Sequence, residues 1–277
     1  MQGMPESRSL DWMGVESDPA VAARLAELYE LDYRDLSHDL DFYRAMAKRT
    51  GGPILELASG TGRVAIPLAQ DGHRVIGLDA SAAQLDLARR KAKDAKVEVD
   101  LVLGDMREFA LAEPFRLIIV PFNSFLLLSY DDRFAALARA REHLTSDGVF
   151  VLDVFQPDPE RIAAQQGAVV QEWSRVDASG KTVVKSSSSI ADVDGMTFTN
   201  IYDELDGAGR LRRYVRTGRL HYLYRRELEL LLAATGFTVD AVYGSYGLEP
   251  VDARSPRLIA VAKRRERGDQ AAERRRR

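Results

Sequence analysis

The chain has 277 residues, 45% of them hydrophobic and 29% charged, with a formal net charge of −3 and no cysteine. That apolar share is too large for a disordered chain, and the missing thiols exclude disulfide frameworks, thiolate nucleophiles and cysteine-ligated metal sites. No apolar run nears the roughly 18 residues of a membrane span, and Met1–Gly14 lacks the basic and apolar regions of a secretory signal, so a soluble cytoplasmic protein is expected.

Charge is uneven along the chain. Lys263–Arg277 holds eight basic and three acidic residues, which leaves −8 on residues 1–262. An acidic body argues against a nucleic-acid platform, and the tail Arg274–Arg277 reads as a solvated, frayed end. After a lead-in over residues 1–18, Val21, Leu25, Leu28 and Leu31 recur at helical spacing through Ala20–Tyr33, and a second helix is expected over Leu40–Arg49. Past Gly51-Gly52-Pro53 short apolar runs alternate with amphipathic stretches. Strands are expected at Ile54–Ala58, Arg74–Leu78, Val97–Leu103, Arg116–Val120 and Gly148–Phe155, and helices at Gly62–Gln70, Ser81–Lys93 and Asp131–Leu144, with Ser81 as an N-cap. That alternation means a parallel sheet covered on both faces. After Phe155 turn signals at Asp177–Gly180, Asp194-Gly195 and Asp206–Gly209 punctuate runs rich in Val, Thr, Ser and Tyr, which predicts antiparallel hairpins. A helix at Arg225–Thr235, ended by Gly236, and strands at Phe237–Tyr243 and Arg257–Ala262 close the chain. The expected fold class is α/β: a Rossmann-like core with an N-terminal helical cover and an inserted antiparallel β-sheet.

Glu56-Leu57-Ala58-Ser59-Gly60-Thr61-Gly62-Arg63 falls at the turn between the first strand and the helix that follows. In an open parallel sheet the carboxyl ends of the strands border the ligand crevice. Glycines at 60 and 62 let backbone approach a ligand, and the helix start offers free amide donors. Asp79 ends the second strand, where a carboxylate can accept both ribose hydroxyls, and Asp105 follows the third, within reach of an adenine amino group. Gly60–Ala65 also satisfies the dinucleotide spacing G-x-G-x-x-G/A, so a nicotinamide cofactor stays open on spacing alone. Glu56 inside the strand end suits a cationic amino group better than a pyrophosphate.

Ile54–Ser81 resembles the first motif and following strand of class I S-adenosylmethionine-dependent methyltransferases, E/D-x-G-x-G-x-G, with Ala58 in place of the first glycine. Over residues 25–262 the chain resembles bacterial small-molecule N- and O-methyltransferases, including the amino-sugar N,N-dimethyltransferases. The resemblance implies a mostly parallel seven-stranded sheet with an antiparallel final strand. With the charge pattern, the chain divides into four regions: a helical cover at 1–50, a cofactor-binding core at 51–155 and 223–264, a substrate-side insertion at 156–222 and a basic tail at 265–277. S-adenosylmethionine is the implied cofactor, with Glu56 on the methionine amino group, Ala58, Gly60, Gly62 and Arg63 in the motif turn, Asp79 and Ala80 at the ribose, and Asp105 and Met106 at the adenine. Pro121-Phe122-Asn123 would border the sulfonium and acceptor, and Tyr29-x-x-x-Tyr33 resembles the tyrosine motif that closes over both.

Methyl transfer relies on alignment, because the sulfonium carries the activation. Where an acceptor must lose a proton, His38 and His221 are the candidate bases, since His73 and His143 read as structural. Phe125 and Tyr222 are candidate acceptor contacts. Alternation along the insertion puts Arg212, Tyr214 and Arg216 on one face, and Arg216 is the candidate for an acceptor carboxylate or phosphate. No metal is expected, and Asp153 reads as structural. Expected partners are a small-molecule acceptor and a second copy of the chain, without membrane or nucleic acid. The alternatives are an RNA or protein methyltransferase, a NAD(P)-dependent oxidoreductase and a non-catalytic S-adenosylmethionine-binding protein. Val120-Pro121-Phe122-Asn123 stands where base-amino methyltransferases carry an Asn-Pro-Pro-Tyr type of tetrad.

Overall fold

The computed structural model describes residues 18–265; the expectations for Met1–Gly14 and for Arg274–Arg277 lie outside them. Seven strands form the main sheet: β1 (Ile54–Leu57), β2 (Val75–Asp79), β3 (Asp100–Leu103), β4 (Phe115–Val120), β5 (Leu144–Phe155), β10 (Phe237–Tyr243) and β11 (Arg257–Arg264), in the spatial order β10-β11-β5-β4-β1-β2-β3. β1 to β5 pair in parallel, and the final strand β11 runs antiparallel between β5 and β10. Helices α3 (Ala65–Gln70), α4 (Ala82–Asp94), α5 (Tyr130–His143) and α7 (Arg225–Ala234) connect them, and α1 (Pro19–Tyr33) and α2 (Leu40–Thr50) precede them.

Both faces of the sheet are covered, which is why its central strands read as unbroken apolar runs. In β1 and β4, Leu55, Leu57, Ile118 and Val120 enter one core with α5 and α7, while Ile54, Leu117 and Ile119 enter a second with Phe42, Tyr43 and Met46 of α2 and with α3. Each such side chain contributes about 1.5–3 kcal/mol when withdrawn from water. Among the described residues of this sheet, Glu56 on β1 and Asp153 on β5 are the buried charges. The strand order turns at β1, flanked by β2 and β4, so the carboxyl ends of these strands open the crevice where ligands bind in such sheets.

The predicted N-cap is present: the Ser81 hydroxyl accepts from the Gln84 amide. Gly236 takes φ +85 just past α7, a conformation that only glycine adopts without strain. Three boundaries differ from expectation. β3 begins at Asp100 because Lys96, at φ +56, turns the chain out of α4 and the next residues stay unpaired. The first helix after β1 begins at Ala65, following a turn through Gly60–Val64, and β5 begins directly at Leu144.

Helix α6 (Pro159–Gln165), which periodicity does not announce, leads from β5 into the insertion. There β6 (Val170–Val176), β7 (Thr182–Ala191), β8 (Gly195–Leu205) and β9 (Leu211–His221) form a second, antiparallel sheet in chain order, with its turns where the Asp/Gly signals fall. Helix α1 is tied to both bodies. Its Arg24 binds Glu204 and Asp177 of the insertion, and its Glu30 takes the Thr61 hydroxyl of the motif turn and the Lys91 ammonium, each at 2.6 Å.

Candidate functional site

The motif turn is built on left-handed backbone. Ala58, Gly60 and Gly62 take φ +56, +54 and +76. For alanine that conformation costs about 1–2 kcal/mol, which explains why related motifs prefer glycine there. A Cβ on Gly60 would come to 2.7 Å from Oε1 of the movable Gln84 side chain, so it is the left-handed backbone more than lack of space that favours glycine there. Gly60 N–H and Ser81 N–H each donate to Asp79 at 2.8 Å, which fixes the carboxylate at the end of β2. Burial raises the Asp79 pKa, against the hydrogen bonds from Ser81 and Gly60 and the positive charge of Arg216.

Glu56 is only 3% exposed, and its Oε2 has no hydrogen-bond partner among the described residues. Burial pushes its carboxyl up to about 8, opposed by the Arg63 charge and a hydrogen bond from the Ala65 backbone. An acid buried at a strand end with an unpartnered oxygen is a costly arrangement that a cationic ligand group would relieve. Together with the glycine cradle and the Asp79 carboxylate, it fits the methionine and ribose of S-adenosylmethionine.

Ala58, Gly60, Asp79, Ala80, Asp105 and Met106 line one cavity, with Gln84 and Leu128. Asp105 reaches it as half of an ion pair, since Arg107 binds it at 2.6 Å and 2.9 Å. A second cavity of about 430 Å³ lies between α1, the end of β4 and the inserted sheet. Tyr29, Ser124, Leu127 and Arg216 line both, so the two spaces share a wall.

The aromatic side of that wall is a stack. Tyr29 and Tyr33 rings lie 4.6 Å apart, and Phe122 meets Tyr33 edge-on at 5.2 Å. Arg63 and Arg257 guanidiniums stand 5.3 Å and 5.4 Å from the Phe122 ring, held by Asp39 and Asp153 respectively. Phe122 and Asn123 take φ +53 and +67, a corner fixed by Asp153: its carboxylate accepts from Phe122 N–H and its carbonyl from Asn123 N–H. Asn123 Oδ1 accepts from Phe155 N–H at 2.7 Å.

Several anticipated residues stand elsewhere. Phe125 is 1% exposed in the core beneath Arg133; its neighbours Ser124 and Leu127 form the wall instead, because the short 3₁₀ turn Ser124–Leu127 rotates Phe125 inward. Tyr222 is buried beside Phe155 and lines neither cavity. His38 is exposed and packs on Tyr246, its ring 5.3 Å away. His221 falls on the opposite face of β9 from Arg216 and Leu220, and burial with the Arg219 and Arg133 charges holds its pKa below the usual value. Glu56, Gly62, Arg63 and Pro121 are near the motif or corner without forming either lining.

Sequence reasoning missed the floor of the larger cavity. Lys185, itself 5% exposed, binds Asp32 at 2.6 Å and Glu172 at 2.7 Å, while Trp173 Nε1–H and Tyr202 O–H donate to Asp32 at 2.8 Å and 3.2 Å. Asp32 lies one helical turn after Tyr29, and Lys185 and Ser187 alternate along a polar strand. Those two patterns were the available clues.

The methyltransferase domain family matches residues 54–148. Cypemycin N-terminal methyltransferase from a Streptomyces species is 30% identical over 253 residues, covering 90% of this chain and 99% of that protein. The dTDP-3-amino-3,6-dideoxy-alpha-D-glucopyranose N,N-dimethyltransferase of Streptomyces fradiae is 28% identical over 232 residues, covering 80% and 87%. Among solved structures, an amino pentose methyltransferase from Micromonospora echinaspora, with S-adenosylmethionine bound, superposes with a TM-score of 0.66 at 27% identity, covering 86% of this chain and 96% of that one. A Clostridium acetobutylicum methyltransferase at 18% identity shares the fold, with a TM-score of 0.74 and coverage of 88% and 98%. These relatives do not favour the nicotinamide reading that the glycine spacing left open. With near end-to-end similarity to methyltransferases, and a crevice whose acid, glycines and carboxylates suit their shared cofactor, the chain belongs to the S-adenosylmethionine-dependent methyltransferases.

Proposed function

We propose that this methyltransferase acts in the cytoplasm on an amine of a small-molecule acceptor held in the larger cavity. Of residues 1–50, the described part with α1 and α2 serves as its cover, 51–155 and 223–264 as the cofactor-binding core and 156–222 as the acceptor side. The observation that carries the choice of nitrogen is that, among the described residues, no histidine lines either cavity and the larger cavity's carboxylates, Asp32 and Glu172, are both tied to Lys185. A neutral amine attacks through its lone pair without prior deprotonation, whereas an aliphatic hydroxyl needs a base. The volume of about 430 Å³ suits a small molecule. The relatives named for amino sugars and for an N-terminal amine support the same reading, and no described helix is long and apolar enough to cross a membrane.

When bound, S-adenosylmethionine supplies an electrophilic methyl group on sulfur, so the protein has chiefly to align the acceptor. Glu56 receives the cofactor's amino group, Asp79 its ribose hydroxyls, and Asp105 with Met106 its adenine. Tyr29, Tyr33, Phe122 and Asn123 orient the acceptor at the shared wall and exclude water. Positioning of this kind lowers a barrier by about 7–11 kcal/mol. The proton of the methylated amine leaves to solvent.

The test is transfer from methyl-labelled S-adenosylmethionine to matched acceptors, an amino sugar nucleotide and its hydroxyl counterpart, with product analysis by mass spectrometry. Label is expected on the amine alone. Transfer to the hydroxyl analogue at a comparable rate would overturn the choice of nitrogen.

A further inference from the structure

The arginines around β9 have partners, with one exception. Arg210 binds Asp206 at 2.7 Å, Arg213 binds Asp203 at 2.7 Å, Arg219 binds Asp192 at 2.8 Å, and Arg212 lies over the Tyr214 ring. Arg216 makes no hydrogen bond or ion pair with any described residue, and it is the one whose side chain lines both cavities. A guanidinium half withdrawn from water into a cavity, with no hydrogen-bonded counter-ion and only the charge of Asp79 acting on it, is incompletely compensated. The acids nearby are engaged: Asp32 and Glu172 hold Lys185, and Asp79 holds two backbone amides.

Register supplies the rest of a site. Arg216 pairs directly across the sheet with Asn200, and Asn200 with Ser187. All three line the larger cavity, but the Ser187 hydroxyl already donates to Glu172, which leaves the Arg216 guanidinium and the Asn200 amide as the open donors of the row. On one side of the row lies the closed Lys185–Asp32 cluster, and on the other Phe198 and Leu220. A planar fork beside a neutral amide donor matches an oxyanion, which a guanidinium binds through two parallel hydrogen bonds.

We propose that Arg216, with Asn200, receives a carboxylate or phosphate carried by the acceptor, so that the protein selects amines bearing such a group. This rests on the larger cavity being the acceptor site. The cofactor's own carboxylate is the other oxyanion at hand, but Asn200 lines only the larger cavity.

The test is calorimetric titration of the full chain, saturated with S-adenosylhomocysteine, using inorganic pyrophosphate and malonate as phosphate and carboxylate probes. At least one should bind the wild type, and Arg216→Gln should weaken it by about tenfold or more. Arg213→Gln, which removes a surface arginine of the same strand, should leave it unchanged. S-adenosylhomocysteine should bind the wild type and Arg216→Gln alike. Absence of probe binding to the wild type, or equal binding by Arg216→Gln, overturns the proposal. So does a tenfold loss of S-adenosylhomocysteine affinity in Arg216→Gln with probe binding intact, which would assign Arg216 to the cofactor. Should S-adenosylhomocysteine fail to bind the wild type, the assignment of the cofactor cavity fails separately, and titration of the cofactor-free chain still decides the role of Arg216.

Discussion

Glu56→Gln is expected to weaken cofactor binding by about 2–5 kcal/mol, the usual cost of removing one partner of a buried charged pair, while making the cofactor-free chain more stable at alkaline pH. Both effects come from one buried carboxyl with an unpartnered oxygen and a pKa raised by burial from 4.5 to about 8. Between those values the folded chain keeps a proton that the unfolded chain has lost. Stability therefore falls as pH rises, by about 1.4 kcal/mol per pH unit from this group, and the fall ends once the folded carboxyl has ionised above pH 8. Glutamine removes that slope. Receiving the cofactor's ammonium requires the carboxylate, so wild-type affinity should rise with pH toward 8, and binding at pH 7 should release close to one proton. Calorimetry in buffers of different ionisation enthalpy measures the proton, and denaturant titrations across pH measure the slope. Equal cofactor affinity in the two proteins, or equal pH slopes, would remove Glu56 from this role.

Asp153→Ala should be the most destabilising single change around the site, by about 3–5 kcal/mol. Asp153 is fully buried and accepts from Tyr246 O–H at 2.6 Å, Tyr43 O–H at 3.2 Å and Phe122 N–H at 3.2 Å, and it pairs with Arg257. Burial and the neighbouring Asp153 charge raise both phenols, so they remain protonated donors. Alanine would strand the mostly buried Arg257 and two phenols, and release the left-handed Phe122–Asn123 corner from its anchor. A fall in melting temperature on the order of 10 °C is expected for a chain of this length. Stability within 1 kcal/mol of the wild type would show that Arg257 and the tyrosines find other partners.

Much of this protein was legible because parallel strands place their carboxyl ends along one edge. Once the alternation of strands and helices is read, Glu56, Asp79 and Asp105 must fall near a common crevice, whatever the details of packing. Ser81 and Gly236 were likewise readable, since a cap or a left-handed residue is a local matter. The antiparallel hairpins followed from turn residues at Asp177–Gly180, Asp194-Gly195 and Asp206–Gly209.

Which way individual side chains point was another matter. A strand's alternation says that His221 and Arg216 lie on opposite faces, but only the docking of the inserted sheet against α1 decides which face meets the cavity. Phe125 and Tyr222 looked available beside the crevice and are buried instead, because a 3₁₀ turn and the return of the chain into α7 aim them inward. The Lys185–Asp32 pair joins residues 153 positions apart, and Asp153 meets Arg257 across 104. Sequence alone determined the sheet, the motif turn and the order of the carboxylates along the crevice, since each depends on nearest neighbours along the chain. The larger cavity, its charges and an Arg216 without a hydrogen-bonded partner among the described residues were decided by tertiary structure, because they arise where helix, core and insertion meet and no local pattern encodes that meeting.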